Sequence, residues 1–282
     1  MASVYVVMNP RSGGGTVRRR QLVQLAERRG AHVDLLEPHG PDLLTLLHAA
    51  VDAGATVLGV AGGDGTIAMA AAVAAECGIP LLVIPAGTRN HFAMDLRLDR
   101  SRPERALDAL VDGVEIRVDL GMAGERAFVN NVSVGGYADL VRRPDYRDHK
   151  LLVAAAAFPE LVGASAVPRF RVQIGDTAVI NPALALVSNN AYATGGPGRL
   201  ARRERLDAGV LGVFCLARPP SPSGVTKGPP PPPVTARTAA SVVVTSTAAR
   251  LPVAIDGEPV ELPTPVVFGV RAGALRVLVP RR

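Results

Sequence analysis

The sequence predicts an α/β fold in its first part and a mainly β fold in its second. Up to Val111, apolar runs alternate with stretches of helical spacing, a pattern typical of repeated strand and helix units. Beyond that point, short β-rich runs follow one another with one helical stretch among them. Because 48% of the 282 residues are apolar, each part has enough hydrophobic surface to bury a core.

The first part contains short apolar or β-branched runs that predict strands. These are residues 4–7, 33–36, 56–61 and 81–84. Helical spacing predicts helices at residues 17–29, 43–51, 67–75 and 103–111. Continuous apolar runs separated by helices are typical of parallel strands that are buried on both faces. We therefore expect an open parallel sheet whose ligand binds beyond the carboxyl ends of its strands.

The second part is predicted to form strands at a series of β-rich runs. They are residues 114–120, 127–134, 170–174, 184–187, 210–216, 241–245, 251–255 and 266–270. A helical stretch at residues 146–161 interrupts them. Residues 218–234 are rich in proline, a composition typical of polyproline or flexible loop. We expect a surface loop there, and a ligand for a small recognition domain is the alternative.

The charge balance favours anionic partners. The formal net charge is +6, and nearly all of the positive charge is arginine, because Lys150 and Lys227 are the only lysines. Arginine binds phosphate groups through paired hydrogen bonds, so nucleotides and anionic lipid headgroups are suitable partners. No basic helix with interleaved aromatic residues occurs, and we expect no nucleic-acid partner.

No apolar run approaches the roughly 20 residues that a membrane-spanning helix needs. The best candidate, residues 151–167, contains Pro159 and Glu160. The apolar run at the N-terminus is too short for a signal peptide, so we expect a cytoplasmic protein. Cys77 and Cys215 are far apart and lack metal-ligand spacing, which predicts two buried thiols.

Three glycine-bearing turns follow predicted strands, at residues 9–15, 62–66 and 85–90. Because the carboxyl ends of parallel strands meet at one edge, we expect these turns to lie together. Glycines let the backbone approach a ligand closely, and N–H groups at helix N-termini bind phosphate. The three turns together predict a nucleotide site.

Other nucleotide motifs do not fit the sequence. The GxxxxGK[ST] loop is absent, and so are the HRD and DFG sequences of protein kinases. Gly63, Gly65 and Ala68 match GxGxxA after a strand, but the next strand ends at Pro85 without an acidic residue for a ribose. A dinucleotide oxidoreductase is therefore disfavoured.

Two carboxylate positions stand out beside glycines. Asp64 lies where phosphates are expected, which is repulsive unless a divalent cation or a proton transfer explains it. Capping of the following helix is the alternative. Asp256, Gly257 and Glu258 form a predicted turn between two β runs.

The order and spacing of the motifs resemble the diacylglycerol kinase catalytic-domain family, whose relatives include sphingosine and ceramide kinases and, more distantly, NAD kinases. The motifs are NPRSGGG (9–15), GGDGT (62–66), PAGTRNHFA (85–93), VDLG (118–121) and AIDGEP (254–259). The resemblance covers nearly the whole chain. GGDGT is shared across the superfamily, whereas the GTxN segment and the late DGE sequence together indicate lipid kinases.

The resemblance implies a Rossmann-like nucleotide-binding α/β domain at residues 1–119 and a β-sandwich domain for a lipid substrate at residues 120–282. It allows the last residues to pack back on the first domain. The implied ATP-binding residues are Asn9, Pro10, Arg11, Ser12, Gly13, Gly62, Gly63, Asp64, Gly65, Thr66, Gly87, Thr88 and Asn90.

The resemblance assigns catalysis to Glu258, Asp64 and Asp256. Glu258 would be the general base, and Asp64 would organise magnesium and the phosphates together with Asp119. The implied cofactors are ATP and Mg²⁺. The reaction is in-line transfer of the γ-phosphoryl group to the hydroxyl of diacylglycerol or a related long-chain lipid alcohol.

A lipid substrate brings the protein to a membrane. We expect reversible, peripheral association with the anionic inner face of the membrane, without nucleic acid. Residues 146–161 are the candidate contact, and an internal core helix is the alternative for them. Assembly as a homodimer stays open.

Some residues depart from the family pattern. Ile67, Ala68 and Met69 follow GGDGT where Leu-Asn-Glu is frequent, and His91 stands where aspartate is usual. Two alternatives therefore stay open: a catalytically weak lipid- or nucleotide-binding protein on the same scaffold, and an NAD kinase-like activity.

Related bacterial lipid kinases hold a structural magnesium in the turn that corresponds to residues 205–210, with an aspartate just before the glycine. Ala208 occupies that position here, and Asp207 is one residue too early. Neighbouring side chains of an extended segment point in opposite directions, and Mg²⁺ in proteins usually takes at least one carboxylate. We predict that this ion is absent and that an arginine stabilises the nearby acidic groups instead: Arg202, Arg203 or Arg205.

Overall fold

The computed structural model of the protein describes residues 3–10, 15–37, 39–135, 168–194, 200–217 and 234–281. The predicted helix at 146–161 and the proline-rich residues 218–233 lie outside this range. Contacts divide the chain into two compact units. Unit 1 consists of Met1–Leu120, Ala193–Asp207 and Ala272–Arg282, and unit 2 consists of Gly121–Tyr192 and Ala208–Arg271.

Helices lie in the first part of the described chain, and strands run throughout it. The helices are α1 Gly15–Arg28, α2 Leu43–Asp52, α3 Asp64–Cys77, α4 His91–Asp95, a 3₁₀ helix at Pro103–Asp108, and α5 Ala109–Asp112. The strands are β1 Val4–Met8, β2 Ala31–Leu35, β3 Val57–Gly62, β4 Leu81–Pro85, β5 Gly113–Ala123, β6 Arg126–Phe128, β7 Asn131–Gly135, β8 Phe170–Ile174, β9 Thr177–Ile180, β10 Leu184–Asn189, β11 Tyr192–Thr194, β12 Leu200–Arg203, β13 Leu211–Leu216, β14 Val234–Ala239, β15 Ser241–Ser246, β16 Arg250–Ile255, β17 Glu258–Pro263 and β18 Val266–Pro280. The α/β fold class with a mainly β second part is confirmed.

Unit 1 contains a parallel sheet in the order β2-β1-β3-β4, continued by the last part of β18. Every residue of β3 and β4 is buried, which explains why these strands are continuous apolar runs. Val277 and Leu278 of β18 pair in parallel with Leu81 and Leu82 of β4. The parallel sheet expected from the alternating pattern is therefore present.

Helices cover both faces of this sheet. On one face, apolar residues of the strands, of α1 and of the 3₁₀ helix form a core, with Val6, Met8, Leu22, Ala26, Leu82, Ile84, Ala106 and Leu107 among its members. On the other face, α3 packs against β3 and β4. Its fully buried Ala70, Ala71 and Ala74 have small side chains that permit a close approach.

The carboxyl ends of β1, β3 and β4 are aligned. Met8 lies opposite Ala61, and Gly62 lies opposite Pro85. The segments that follow these strands therefore leave the sheet at the same edge. We call this place the loop edge, and it comprises the described residues 9–10, 62–66 and 86–90.

Unit 2 is built from two antiparallel arrangements of strands. One sheet has the order β14-β13-β10-β7-β16-β17, and the other arrangement is β18-β15-β8-β9, to which β18 contributes its first part. Side chains of both contribute to one hydrophobic core, including Val132, Val187, Val213, Val253, Val172, Val242, Val244 and Phe268. Two sheets that share a core form a sandwich.

Several predicted elements differ from the structure. The run at 127–134 is two strands, β6 and β7, and the run at 266–270 continues to Pro280. The predicted helix at 103–111 is a 3₁₀ helix followed by one α-helical turn. The strands that sequence reasoning missed are β9, β14 and β17, which lie at sheet edges, and the small pair β11 and β12. Edge strands bury less surface, so their apolar pattern is weak.

The two cysteines differ in exposure. Cys215 is buried, and burial raises the pKa of its thiol to about 12. Cys77 is exposed at the end of α3, so the prediction of two buried thiols is wrong for this residue.

The described residues include no helix with both the length and the apolar character that crossing a bilayer requires.

Candidate functional site

Two glycines bring the turns after β3 and β4 into direct contact at the loop edge. A Cβ atom added to Gly87 would overlap the Cα of Gly63, and one added to Gly62 would lie 2.5 Å from Thr66 Cβ. The backbones of both turns therefore meet without side chains between them. This is the condition under which backbone N–H groups can approach a phosphate.

Asp64 is the first residue of α3, and Gly63 is the N-cap of that helix. The Asp64 carboxylate accepts the backbone N–H of His91 at 2.7 Å, and His91 is the first residue of α4. Capping of α3 by Asp64 stays an alternative, and the bond to His91 shows that Asp64 also contacts the start of α4. Asp64 joins the starts of two helices and keeps a negative charge at the loop edge.

Asn90 is completely buried at the loop edge, in a left-handed conformation with φ of 50°. Its Nδ2 donates to the carbonyl of Gly87 at 2.9 Å. Its Oδ1 is buried and, within the described part of the chain, accepts no hydrogen bond. A buried acceptor without a donor is costly, so this oxygen suits a ligand that supplies a donor.

Asn9 connects β1 with the start of α3. Its Nδ2 donates to Thr66 Oγ1 at 3.4 Å, and its backbone N–H donates to the carbonyl of Ala61 at 2.9 Å. Pro10 follows it, whereas the predicted ATP-binding residues Arg11, Ser12 and Gly13 lie outside the described residues. Asn9 thus adjoins the turn after β3.

A cavity of about 670 Å³ opens beside Asn9 and Pro10 within unit 1. Leu35, Leu36 and Leu43 give it apolar walls, and polar side chains are also present among its lining residues: Arg19, Glu37 and Asp42. Apolar walls with a few polar groups are typical of small-molecule sites. Sequence reasoning did not find Arg19 or Glu37, because neither lies in a motif.

The loop edge thus contains the described members of the predicted ATP-binding set. Gly62 ends β3, Gly65 and Thr66 lie in the first turn of α3, and Gly87 and Thr88 precede α4. Arg100 supports this last turn, since its Nη1 donates to the carbonyl of Arg89 at 2.9 Å and to that of Thr88 at 3.5 Å.

Asp119, the second predicted metal ligand, is buried in β5. Its Oδ1 accepts the backbone N–H of Gly273 at 2.8 Å, and its own N–H donates to the carbonyl of Leu206 at 2.6 Å. In the described ranges, no group of three or more His, Cys, Asp or Glu residues is arranged to hold a metal. Asp119 therefore has an evident structural task, and a metal role for it stays a prediction.

Asp256 and Gly257 form a two-residue turn between β16 and β17, with φ values of 48° and 88°. Positive φ at both positions is the signature of the type I′ turn that Asp-Gly favours. The Asp256 carboxylate accepts three backbone N–H groups: from Val129 at 2.9 Å, Asn130 at 2.8 Å and Asn131 at 3.0 Å. Both oxygens are engaged, so Asp256 positions the loop at Val129–Asn131, and the catalytic role expected for it stays a prediction.

Glu258, the expected general base, is the first residue of β17. It lies opposite Ile255 across the turn, and it is exposed. The strand pair and the three hydrogen bonds to Asp256 fix the backbone from which Glu258 projects. Glu258 belongs to unit 2, whereas Asp64 belongs to unit 1.

The turn at 205–210 carries the arginine pairing that we expected. Arg205 Nε lies 3.0 Å from Asp207 Oδ1, and this hydrogen bond lowers the pKa of Asp207. Arg203 makes a second pair, with Asp95 at the end of α4. Arg203 Nη2 lies 2.6 Å from Asp95 Oδ2, and both side chains are buried. The sequence carries no sign of this pair, because its members lie 108 residues apart.

Comparisons with known proteins show the family to which the chain is related. A family model described as the diacylglycerol kinase catalytic domain matches residues 3–123. A protein of Pseudomonas fluorescens named "Probable lipid kinase YegS-like" is 30% identical over 270 residues, which cover 90% of this chain and 88% of that protein. A diacylglycerol kinase of Mycobacterium tuberculosis is 34% identical over 148 residues, or 50% of this chain. That match spans about half (48%) of the mycobacterial protein.

The fold is also similar to solved structures. The crystal structure of a diacylglycerol kinase from Bacillus anthracis has a TM-score of 0.69 at 17% sequence identity, and the match covers 98% of this chain and 96% of that one. A second structure from the same bacterium has a TM-score of 0.73 at 18% identity. At these identities the likeness concerns the fold alone. Because the match to the Pseudomonas protein extends over most of both sequences, the chain belongs to the diacylglycerol kinase catalytic-domain family of lipid kinases.

Proposed function

We propose that the protein is an ATP-dependent lipid kinase, which transfers the γ-phosphoryl group of ATP to the hydroxyl of diacylglycerol or a related long-chain lipid alcohol. The observation that carries this proposal is the loop edge of unit 1. There, two glycine turns touch, and the carboxylate of Asp64 at the start of α3 accepts the N–H of the first residue of α4.

The loop edge suits the phosphates of ATP. Gly87 has no room for a Cβ atom against Gly63, so the backbones of the two turns lie side by side at this edge. The first turn of α3, a helix of 14 residues, directs N–H groups toward this position and favours negative charge. The adjoining cavity of about 670 Å³ has apolar walls for the base and polar side chains for the ribose.

The residues at this edge also suit the magnesium that accompanies ATP. Mg²⁺ in kinases is bound by one or two carboxylates together with the substrate phosphates, and Asp64 supplies such a carboxylate here. When bound, the ion would neutralise charge on the transferred group. Asp64 is held for this purpose, because the N–H of His91 fixes one of its oxygens at 2.7 Å.

Glu258 is proposed as the general base. It takes the proton of the lipid hydroxyl while that oxygen forms a bond to the γ-phosphorus, and the bond from the γ-phosphorus to ADP breaks. Glu258 is exposed and projects from a strand pair, so its backbone position is fixed at the surface of unit 2. Asp256 would fix the neighbouring loop at Val129–Asn131, which leaves the proton transfer to Glu258.

The lipid acceptor is supported by relatives rather than by a site in the described residues. The protein that matches most of the chain is named a lipid kinase, and other relatives are named diacylglycerol kinase. A long-chain substrate resides in a bilayer, so we propose peripheral binding at the anionic inner face of the cytoplasmic membrane.

The test of this proposal is a comparison of acceptors. Purified protein is incubated with ATP labelled at the γ-phosphate and, separately, with vesicles of diacylglycerol, with a sphingoid alcohol, or with NAD. The proposal predicts label in a lipid product. Label in NAD alone would replace it with an NAD kinase-like activity.

A second candidate is a nucleotide-binding protein with little catalysis. The observation that favours it lies in the first half of α3, where Ile67 is buried and Met69 is 42% exposed. These apolar side chains give the start of α3 no polar group after Thr66 with which to contact phosphate. Nucleotide binding without label in any acceptor would support this candidate and contradict the kinase.

A further inference from the structure

A second cavity of unit 1 lies apart from the loop edge. It has a volume of about 360 Å³ and is lined by the turn after α4, by the 3₁₀ helix and by the last residues of β18. None of the residues of the loop edge lines it. Leu96, Leu98, Ala106, Val279 and Pro280 give it low-polarity walls, which strengthen electrostatic interactions inside it.

Three carboxylates line this cavity, and each has a cationic partner. Asp108 pairs with Arg29 at 2.6 Å, and Asp112 pairs with Arg281 at 3.1 Å. Asp99 accepts from Ser101 and from Arg102, which lies 3.2 Å away, and the hydrogen bonds from Ser101 lower its pKa to about 2. The negative charges of the cavity are therefore already compensated.

Two other arginines of the lining are not paired with a carboxylate of the described residues. The side chains of Arg97 and Arg105 are exposed and form no ion pair or hydrogen bond with the described residues, and both line the cavity. Once the three carboxylates are paired, these two arginines leave an excess of positive charge on the cavity wall. Two guanidinium groups beside apolar walls form a favourable environment for a phosphate group.

The backbone at Arg97 supplies an independent observation. Arg97 has φ of 61°, and it occupies the left-handed position directly after the C-cap of α4. The Leu98 N–H donates to the carbonyl of Ala93 at 2.8 Å, and the Arg97 N–H donates to that of Met94 at 2.9 Å. This pair of bonds is the Schellman motif, whose left-handed position normally takes glycine because any Cβ atom there is strained.

An arginine at a position that favours glycine has a cost in stability. Residues in strained backbone conformations persist where the surrounding structure holds them, and they cluster at active sites and ligand-binding positions. Here the strained residue is also one of the two arginines of the cavity that have no ion pair within the described part of the chain.

We propose that this cavity binds a phosphate group, held by Arg97 and Arg105. The ligand is a phosphate monoester or diester, supplied by an anionic lipid headgroup or by a free phosphate compound. The site is separate from the proposed nucleotide site and does not depend on it.

Equilibrium dialysis with labelled inorganic phosphate tests the site at constant ionic strength. Because the loop edge also suits phosphate, the readout is the number of phosphates bound by wild type and by the variants Arg97→Gln and Arg105→Gln. The control is Arg28→Gln, which removes an exposed arginine of α1 that does not line the cavity. We expect each cavity variant to bind one phosphate fewer, or to bind it roughly tenfold more weakly, and the control to match wild type.

Thermal unfolding without phosphate tests the strain. Arg97→Gly removes the Cβ atom, so its melting temperature should exceed that of Arg97→Gln, by roughly 2–4 °C for a protein of this size. A melting temperature of Arg97→Gly equal to or below that of Arg97→Gln would contradict the strain on which the assignment depends.

Vesicle sedimentation separates the two sources of phosphate. If the ligand is a lipid headgroup, Arg97→Gln and Arg105→Gln bind anionic vesicles less than Arg28→Gln does, although all three have lost the same charge. If only the binding of free phosphate is lost, the ligand is a free phosphate compound. Unchanged binding in both experiments would overturn the proposal.

Discussion

Asp64 and Asp256 both stand beside glycine, yet their surroundings give them different tasks. One oxygen of Asp64 accepts the N–H of His91. Both oxygens of Asp256 accept N–H groups, from Val129, Asn130 and Asn131. A carboxylate engaged by three backbone donors has little capacity to accept a substrate proton, so these bonds indicate a structural task for Asp256.

The positioning role of Asp256 can be tested through the free energy of unfolding. Asp256→Asn replaces one acceptor oxygen with an NH₂ group, which faces a backbone N–H and cannot accept from it. We expect a loss of about 1–3 kcal/mol in the free energy of unfolding, measured by urea denaturation. Asp176→Asn, at an exposed turn position, is the control and should unfold like wild type. Equal stability of both variants would contradict the positioning role.

The proposed role of Glu258 as a base is tested by the rate of phosphoryl transfer. Glu258→Gln keeps the shape of the side chain and removes its ability to accept a proton, so we expect the transfer rate to fall by about 10²–10⁴. Nucleotide affinity should be unchanged, because the proposed nucleotide site lies in unit 1. Glu261→Gln, on the same strand, is the control. Weaker nucleotide binding at an unchanged transfer rate would contradict the role of a base.

The cysteines give a chemical test of burial. Burial raises the pKa of the Cys215 thiol to about 12, so almost none of it is thiolate at pH 8. Cys77 is exposed. We expect an alkylating reagent at pH 8 to modify Cys77 in the native protein and to reach Cys215 only after denaturation. Mass spectrometry of the modified peptides checks this, and rapid native modification of Cys215 would contradict it.

At the scale of elements, α4 depends on contacts from elsewhere in the chain. A helix of five residues is far too short to be stable alone. The carboxylate of Asp64 accepts the N–H of its first residue, and Arg203 of β12 pairs with Asp95 at its end. Both ends of the helix that follows the PAGTRN turn are therefore held by charged groups of unit 1.

The buried ion pair of Arg203 with Asp95 can be tested through the free energy of unfolding. Arg203→Met leaves the Asp95 carboxylate buried without its cation, and breaking such a pair costs about 3–5 kcal/mol. The double variant Arg203→Met with Asp95→Leu removes both charges and should recover much of that loss. Urea denaturation of both variants checks this. A double variant less stable than the single one would show that the pair itself contributes the stability.

Sequence patterns predicted the elements that are long or deeply buried. The strands β1 to β4 and the helices α1 to α3 are continuous or periodic in apolar residues, because each packs against the core of unit 1. The strands β11 and β12 and the helix α4 were missed, since they are short and depend on distant contacts such as Arg203 with Asp95.

The sequence predicted the parts of the candidate site that are formed by residues close together in the chain. The glycine turns follow their strands directly, so spacing alone indicated the loop edge. The structural role of Asp256 could not be predicted, because its N–H donors lie 125–127 residues earlier in the chain. Arg97 could not be found from the sequence, because its distinguishing feature is a backbone φ of 61°, which no sequence motif indicates.

At the scale of the whole molecule, the chain forms two units that are not consecutive in sequence. The sequence suggested a boundary near residue 120, and contacts place it at Leu120, but Ala193–Asp207 also belongs to unit 1. Arg203 and Leu206 explain this assignment, since they bond to Asp95 and Asp119 of the same unit. No local pattern in 193–207 indicates such long-range contacts.

The central claim is that the loop edge performs phosphoryl transfer to a lipid, and Asp64 tests it most directly. The measurement is transfer of label from ATP to diacylglycerol in vesicles by wild type, by Asp64→Asn and by the control Asp52→Asn, which changes an exposed aspartate at the end of α2. We predict that wild type and the control label the lipid, while Asp64→Asn stays folded and loses at least about 100-fold in rate, because it lacks the charge that organises the transferred group. Transfer by Asp64→Asn at the wild-type rate, or no labelled lipid from the wild type, would contradict the account.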